Sequence, residues 1–308
     1  MLYADIVINE KQKKEVYSMG KFELISCFKN IGNLYNKIPF HFFTEKVIKS
    51  NGVYMEDSVS NRKSRRQEEA VIYENRYKGK SFSILGDSIS TLEGYNPIGY
   101  KVFYSGEVRI YSGVSEMRDT WWGKVIEYFE GKLLVNNSWS GSRVTKLPGQ
   151  ANLFPSGCSD ERTGFLHVDS IIPDIILIYL GTNDWANGVT PEHNNGEKSE
   201  TSFYYAYKEM LRKIKIMYPD SEIWCCTLCE TCMKPNPMFE FPYFYAGIHI
   251  EIYNDIIRKV VLENGCRLID LYRFHEAYDS IDGIHPNSRG MDTIAELIIQ
   301  QLRSKVSG

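Results

Sequence analysis

The 308-residue chain lacks any apolar run near the roughly 20 residues that a bilayer-crossing helix requires. Its start, MLYADIVINEKQKKE, carries charge where a secretory leader needs an apolar stretch. The expectation is therefore a cytoplasmic protein that does not engage a membrane. The chain also lacks the pentapeptide GxSxG, which excludes the strained serine elbow of an α/β-hydrolase. Cysteine is unevenly used: seven in all, an odd number, with Cys225, Cys226, Cys229 and Cys232 crowded into CCTLCETC. A closed zinc or iron–sulfur site usually draws its ligands from two separated pairs, and no second pair exists here. Cys225 and Cys226 fall in an apparent strand, SEIWCCTL, where successive side chains point to opposite faces. Free thiols in a reducing compartment, with no metal and no cofactor, are the expectation.

Charge of one sign is scarce where the other gathers. Residues 1–80 hold 15 Lys and Arg against 10 Asp and Glu, whereas residues 81–308 hold 21 against 29. The basic run Arg62, Lys63, Arg65, Arg66 is followed at once by Glu68 and Glu69, the pattern of a solvated connector. No nucleic-acid recognition motif accompanies it, so no nucleic-acid partner is expected.

From residue 82 onward the order is regular. The apolar runs FSILG, KLLVNN, DIILIYLG, EIWCCTL and RLIDLY are short and rich in branched residues. Their continuous apolarity predicts strands buried on both faces, as in a parallel sheet. Helix-like segments separate them. DTWWGKVIEYFEGK opens with Asp119, a candidate N-cap, with Trp121 and Trp122 read as core. SFYYAYKEMLRKIKIMYP, AGIHIEIYNDIIRKVVLENG and RGMDTIAELIIQQLRSKV supply three more. Alternation of strand and helix predicts a doubly wound α/β domain over residues 80–308, with ligands gathering at the carboxyl ends of its strands. Residues 1–79 do not continue the pattern. They are expected to form a small N-terminal appendage of unreadable purpose, too short for a sizeable core of its own.

The strand ends carry GDS (86–88), NNSWSG (136–141) and GTND (181–184), and DGIHPN (282–287) follows the fifth strand. Serine-based ester hydrolysis needs a nucleophile, a base, a carboxylate to orient that base, and donors for the oxyanion. Of six histidines, His41 lies in the appendage, His193 in a polar loop and His249 in an apparent helix. His285 alone has a carboxylate three residues earlier among turn residues, and His275 beside Glu276 is the second choice. In a loop, that spacing lets Asp282 accept from Nδ1–H and leaves Nε2 for a serine. Asp87, Ser88, Asn183 and Asp282 could each instead cap or brace a turn. Asp87 and Asp184 are read as structural, Asp184 as a brace for its loop.

These four blocks, in this order, resemble the SGNH or GDSL-type hydrolases over residues 80–308. The resemblance implies a flavodoxin-like, three-layer α/β/α sandwich with a five-stranded parallel sheet. It implies a triad of Ser88 as nucleophile, His285 as base and then acid, and Asp282 as orienting carboxylate. The oxyanion hole would comprise the N–H groups of Ser88 and Gly141 and the amide of Asn183. Glycine would let its N–H approach substrate without a Cβ in the way. If Ser88 opens a helix, the positive end of that helix would also favour the oxyanion.

Trp139, beside the glycine loop, and Trp185, directly after GTND, are candidate substrate-lining residues; packing under the loops is the competing reading. Residues 93–119 form a long insertion rich in tyrosine, glycine and charge, unlike the apolar lid of a roomy lipase. The expectation is a small-molecule or oligosaccharide ester with a small acyl group, acetyl foremost. A lipid-directed acylhydrolase or thioesterase and a non-catalytic ligand-binding module are the alternatives.

Overall fold

The computed structural model of the protein describes residues 76–147, 154–192 and 198–303. The expected N-terminal appendage lies outside these residues, except for its last few. Of those, Tyr77 is buried, edge-on to Phe129 and Trp224, and so already belongs to the sheet domain.

Five strands form the central sheet: β1 (Ser81–Gly86), β2 (Lys132–Asn136), β3 (Ile175–Tyr179), β4 (Glu222–Cys226) and β8 (Arg267–Ile269). The order is β2-β1-β3-β4-β8 and every pairing is parallel. Ile84 stands beside Leu177, Leu177 beside Trp224, and Cys225 beside Leu268. The central strand β3, IILIY, is buried at every position, which is why its sequence is apolar without alternation. The edge strand β2 is exposed at Lys132 and fully buried only at Asn136.

Helix α2 (Trp121–Tyr128) packs on α7 (Ser288–Arg303), and α5 (Phe203–Met217) on α6 (Ile250–Glu263). These pairs form the helical layers of a three-layer α/β/α sandwich. Trp121 and Trp122 are buried in its core. Shorter elements fill the connections: α1 (Glu107–Ser112), α3 (Asp160–Gly164) and α4 (Thr182–Ala186). A parallel pair joins β5 (Thr231–Cys232) to β9 (Tyr278–Asp279), and a hairpin joins β6 (Phe244–Tyr245) to β7 (Ile248–His249).

Two helix starts differ from the sequence expectation. Thr120, not Asp119, caps α2, its hydroxyl accepting from the Gly123 N–H at 3.0 Å. Asp119 turns back instead and accepts from the N–H groups of Ser115 and Glu116. His249 lies outside helix α6 as its N-cap, Nδ1 accepting from the Glu251 N–H. Both segments offer adjacent groups able to cap, and tertiary position decides between them.

Cys225, Cys226 and Cys229 are buried, and burial holds their thiols above the ordinary range, Cys229 at about 12. Thiols so placed stay protonated and unreactive at neutral pH. Among the described residues, no helix is long and apolar enough to cross a membrane.

Candidate active site

In this strand order, β1 lies between β2 and β3, so the connection from β1 to β2 and the connection from β3 to β4 step in opposite directions across the sheet. Such a switch point opens a crevice at the carboxyl ends of the strands. Ser88 follows β1 and Asn183 follows β3, which brings both to the crevice.

The GDS turn is shaped by close packing. A Cβ on Gly86 would lie 2.4 Å from Ser90 Oγ, too close for any other residue without displacement. Asp87 caps the turn, accepting from the Ile89 N–H at 3.0 Å. Ser88–Ser90 make one 3-10 turn before the chain becomes extended at Thr91. A single turn aligns too few peptides for an appreciable dipole, so the expected help from a helix end is absent here.

Ser88, 5% exposed, meets the histidine predicted for it. Ser88 Oγ and His285 Nε2 are 2.8 Å apart, and His285 Nδ1 and Asp282 Oδ2 are 2.7 Å apart. Asp282 Oδ1 accepts from the N–H groups of Ile284 and His285 at 3.0 and 2.8 Å. Burial works against ionisation of Asp282, but hydrogen bonds from the His285 ring and from the two N–H groups outweigh it. The carboxyl is held below its ordinary range. His275, the second choice, pairs with Glu230 instead.

The remaining predicted donors are the Asn183 amide and the N–H groups of Ser88 and Gly141. Asn183 Nδ2 reaches the Ser142 carbonyl at 3.0 Å and Asp87 Oδ2 at 3.4 Å, so the amide sits between the neighbour of Gly141 and the neighbour of Ser88. Among the described residues, the Ser88 and Gly141 N–H groups have no acceptor within the protein. Gly141 has φ +83°, and a Cβ there would meet nothing within 4 Å. The glycine is required by left-handed backbone rather than by crowding from the protein.

The loop carrying Gly141 is braced from below. Asp184, fully buried, accepts from the Val144 and Thr145 N–H groups and the Thr145 hydroxyl at 2.8, 3.1 and 2.8 Å. Burial pushes the carboxyls of Asp87 and Asp184 up to about 6, against the hydrogen bonds each receives.

The two tryptophans part company. Trp139 is half-buried, its ring 4.4 Å from that of Tyr100, and it borders a cavity of about 440 Å³ lined also by Lys146, Pro155, Ser156 and Glu161. Trp185 is 2% exposed and packs against Phe241 and Tyr245, so it supports the loop rather than lining a cleft.

Several neighbours of the site carry no sequence signal. Phe103 stacks on the His285 ring, with centroids 3.5 Å apart and planes 10° from parallel. The next residue, Tyr104, donates its hydroxyl to the Pro286 carbonyl at 2.7 Å. Both come from the insertion, which thus grips the loop bearing His285. Arg162, buried in α3, spreads its guanidinium beneath the same strand ends. Aromatic residues in a polar loop and one arginine in GCSDERTGF resemble many others that do nothing of the kind.

The profile of the GDSL-like lipase/acylhydrolase family matches residues 80–238, just over half of the chain. A crystal structure assigned as a GDSL-like lipase from Bacteroides ovatus is similar at 28% identity and TM-score 0.58, covering 74% of this chain and 100% of that one. Another from Bacteroides uniformis is similar at 27% identity and TM-score 0.53, covering 72% and 95%. Among curated proteins, a multidomain esterase of Ruminococcus flavefaciens is 25% identical over 173 residues, 53% of this chain and 20% of that protein. The cellulase/esterase CelE of Acetivibrio thermocellus is 24% identical over 143 residues, 44% of this chain and 15% of that protein. The match thus spans a fifth or less of these two curated relatives.

Proposed function

The chain belongs to the GDSL-like lipase/acylhydrolase family, and from that premise we propose that it is a metal-independent serine esterase. Its substrate is a small acyl ester, acetyl foremost, of a carbohydrate or another polar alcohol. One observation carries this reading: the unbroken hydrogen-bonded chain from Asp282 through His285 to Ser88 Oγ.

In the proposed mechanism, Ser88 Oγ attacks the ester carbonyl carbon while its proton passes to His285 Nε2. Asp282, ionised, holds Nδ1–H and thereby the tautomer whose Nε2 is free to accept. The carbonyl oxygen becomes an oxyanion facing the N–H groups of Ser88 and Gly141 and the Asn183 amide, donors that add no charge of their own. Collapse of the tetrahedral species breaks the ester C–O bond, and His285 returns the proton to the leaving alcohol. Water then attacks the acyl-serine with His285 as base, releasing the acid and restoring Ser88.

Support for a polar alcohol comes from the Tyr100–Trp139 pair beside the glycine loop and from Lys146, Glu161 and Ser156 around the adjoining cavity. An aromatic face flanked by polar groups suits a sugar ring. The name of CelE pairs an esterase with a cellulase, in keeping with carbohydrate esters.

The test is hydrolysis of aryl esters of increasing acyl length by wild type and Ser88→Ala. Acetate turnover is expected in the wild type and its loss in the variant. Turnover surviving Ser88→Ala would overturn the mechanism, and a preference for chains of eight or more carbons would favour a lipid-directed acylhydrolase. A wild type inert toward every ester would favour a binding module on the same fold.

A further inference from the structure

Arg162 has no solvent exposure, yet among the described residues its side chain donates no hydrogen bond to a carboxylate. Its N–H groups go almost entirely to backbone oxygens. Nε donates to the Asn137 carbonyl at 3.0 Å, Nη1 to Ser142 Oγ at 2.7 Å and the Pro155 carbonyl at 3.0 Å, and Nη2 to the Gly86 carbonyl at 2.6 Å. Asn137 returns a bond, its Nδ2 donating to the Arg162 carbonyl at 2.8 Å. Burial lowers the guanidinium only to about 10, so it stays charged at neutral pH.

The acceptors are not scattered. Gly86 ends β1 two residues before Ser88, Asn137 directly follows β2, and Ser142 follows Gly141. The Ser142 carbonyl in turn receives the Asn183 amide. One planar fork therefore touches each stretch that presents a donor of the oxyanion hole, directly for Ser88 and Gly141 and through Ser142 for Asn183. A lysine could supply the charge but not four divergent donors in fixed geometry.

We propose that Arg162 is a positioning residue of the oxyanion hole. Its fork holds the ends of β1 and β2 and the glycine loop in register, so that the donors of Ser88, Gly141 and Asn183 converge on one oxygen. Its buried positive charge favours negative charge at that point. The proposal rests on the reading of Ser88 as nucleophile. A brace that served folding alone would alter stability and leave the turnover of folded enzyme unchanged; a positioning role appears in kcat, where the oxyanion develops.

The test compares aryl-acetate kinetics and thermal melts of wild type, Arg162→Lys, Arg162→Met and Ser142→Ala. Arg162→Lys is expected to lower kcat about 10- to 100-fold with KM within about twofold, and Arg162→Met about 10²- to 10³-fold, the scale of a lost oxyanion donor. Ser142→Ala removes one acceptor of the fork and keeps the cation; a fall in kcat of about 3- to 10-fold is expected. Folded Arg162 variants with kcat near wild type, or losses confined to KM, would overturn the proposal. Should neither Arg162 variant fold, an unchanged kcat in Ser142→Ala overturns it. A Ser88→Ala control separates the two readings: activity surviving there removes the mechanism itself, whereas an inactive Ser88→Ala beside fully active Arg162 variants removes only the role of Arg162.

Discussion

Phe103 lies flat against the imidazole of His285, the two ring centroids 3.5 Å apart. The proposed base is thus held at its edge by Asp282 and on its face by an aromatic ring from a segment some 180 residues earlier in the chain. Ring stacking of this kind contributes about 0.5–1.5 kcal/mol beyond area burial. Phe103→Ala is expected to lower kcat/KM toward an aryl acetate by about 2- to 10-fold, with Phe103→Tyr close to wild type. Equal kcat/KM in wild type and Phe103→Ala would show the stack to be inert.

Asn183 presents one amide to the Ser142 carbonyl and, more loosely, to Asp87. If that amide also serves the oxyanion, Asn183→Ala should reduce kcat by about 10²- to 10³-fold while KM changes little. Steady-state kinetics on the acetate ester decide it. A loss expressed mainly in KM would assign Asn183 to ground-state binding.

Gly141 is constrained by its φ of +83° and not by its surroundings. Substitutions there should rank by tolerance of left-handed backbone, with Asn harming turnover least, Ala more, and Val most. The strain for Ala is on the order of 1–2 kcal/mol. A ranking by side-chain size alone, with Ala milder than Asn, would point to crowding by substrate as the stronger constraint.

Buried Asp87 should leave a mark on the pH dependence of stability. Its carboxyl is raised to about 6 by burial, above the ordinary value of about 3.9 in an unfolded chain. Between those values the native state holds more protons than the unfolded state, so this group's contribution is fully present below about pH 4 and is lost as pH rises through about 6. Each pH unit of separation is worth about 1.4 kcal/mol. Asp87→Asn keeps an oxygen for the Ile89 N–H and removes the titration. Denaturant unfolding across pH 4–7 should show a smaller loss of stability with rising pH in this variant. Superimposable profiles for the two proteins would rule the titration out.

Much of the fold is legible in the sequence because a strand covered on both faces must be apolar throughout. Runs such as IILIY leave few alternatives once turn residues bound them. The predicted site residues are legible for a different reason: Ser88, Gly141, Asn183, Asp282 and His285 sit in short polar blocks interrupting that pattern. Their convergence is visible only through the order of those blocks. What escapes is long-range and chemically ordinary. Arg162 meets Gly86 across 76 residues and Tyr104 meets Pro286 across 182, and neither pairing has a periodicity or spacing to betray it. The capping choice between Asp119 and Thr120 escapes too, because both can accept and only the packed turn selects one.

The Tyr104–Pro286 hydrogen bond has an evolutionary consequence. Insertions beside active sites are commonly the parts most freely exchanged between relatives, since specificity can drift while the reacting groups stay put. Here the insertion is also a structural partner of the loop that bears the proposed base. A shortened or foreign segment would arrive without the hydroxyl that meets Pro286 and without the ring that faces His285. Changes within residues 93–119 that leave Phe103 and Tyr104 standing would therefore spare the proposed base, and changes that remove either would reach it.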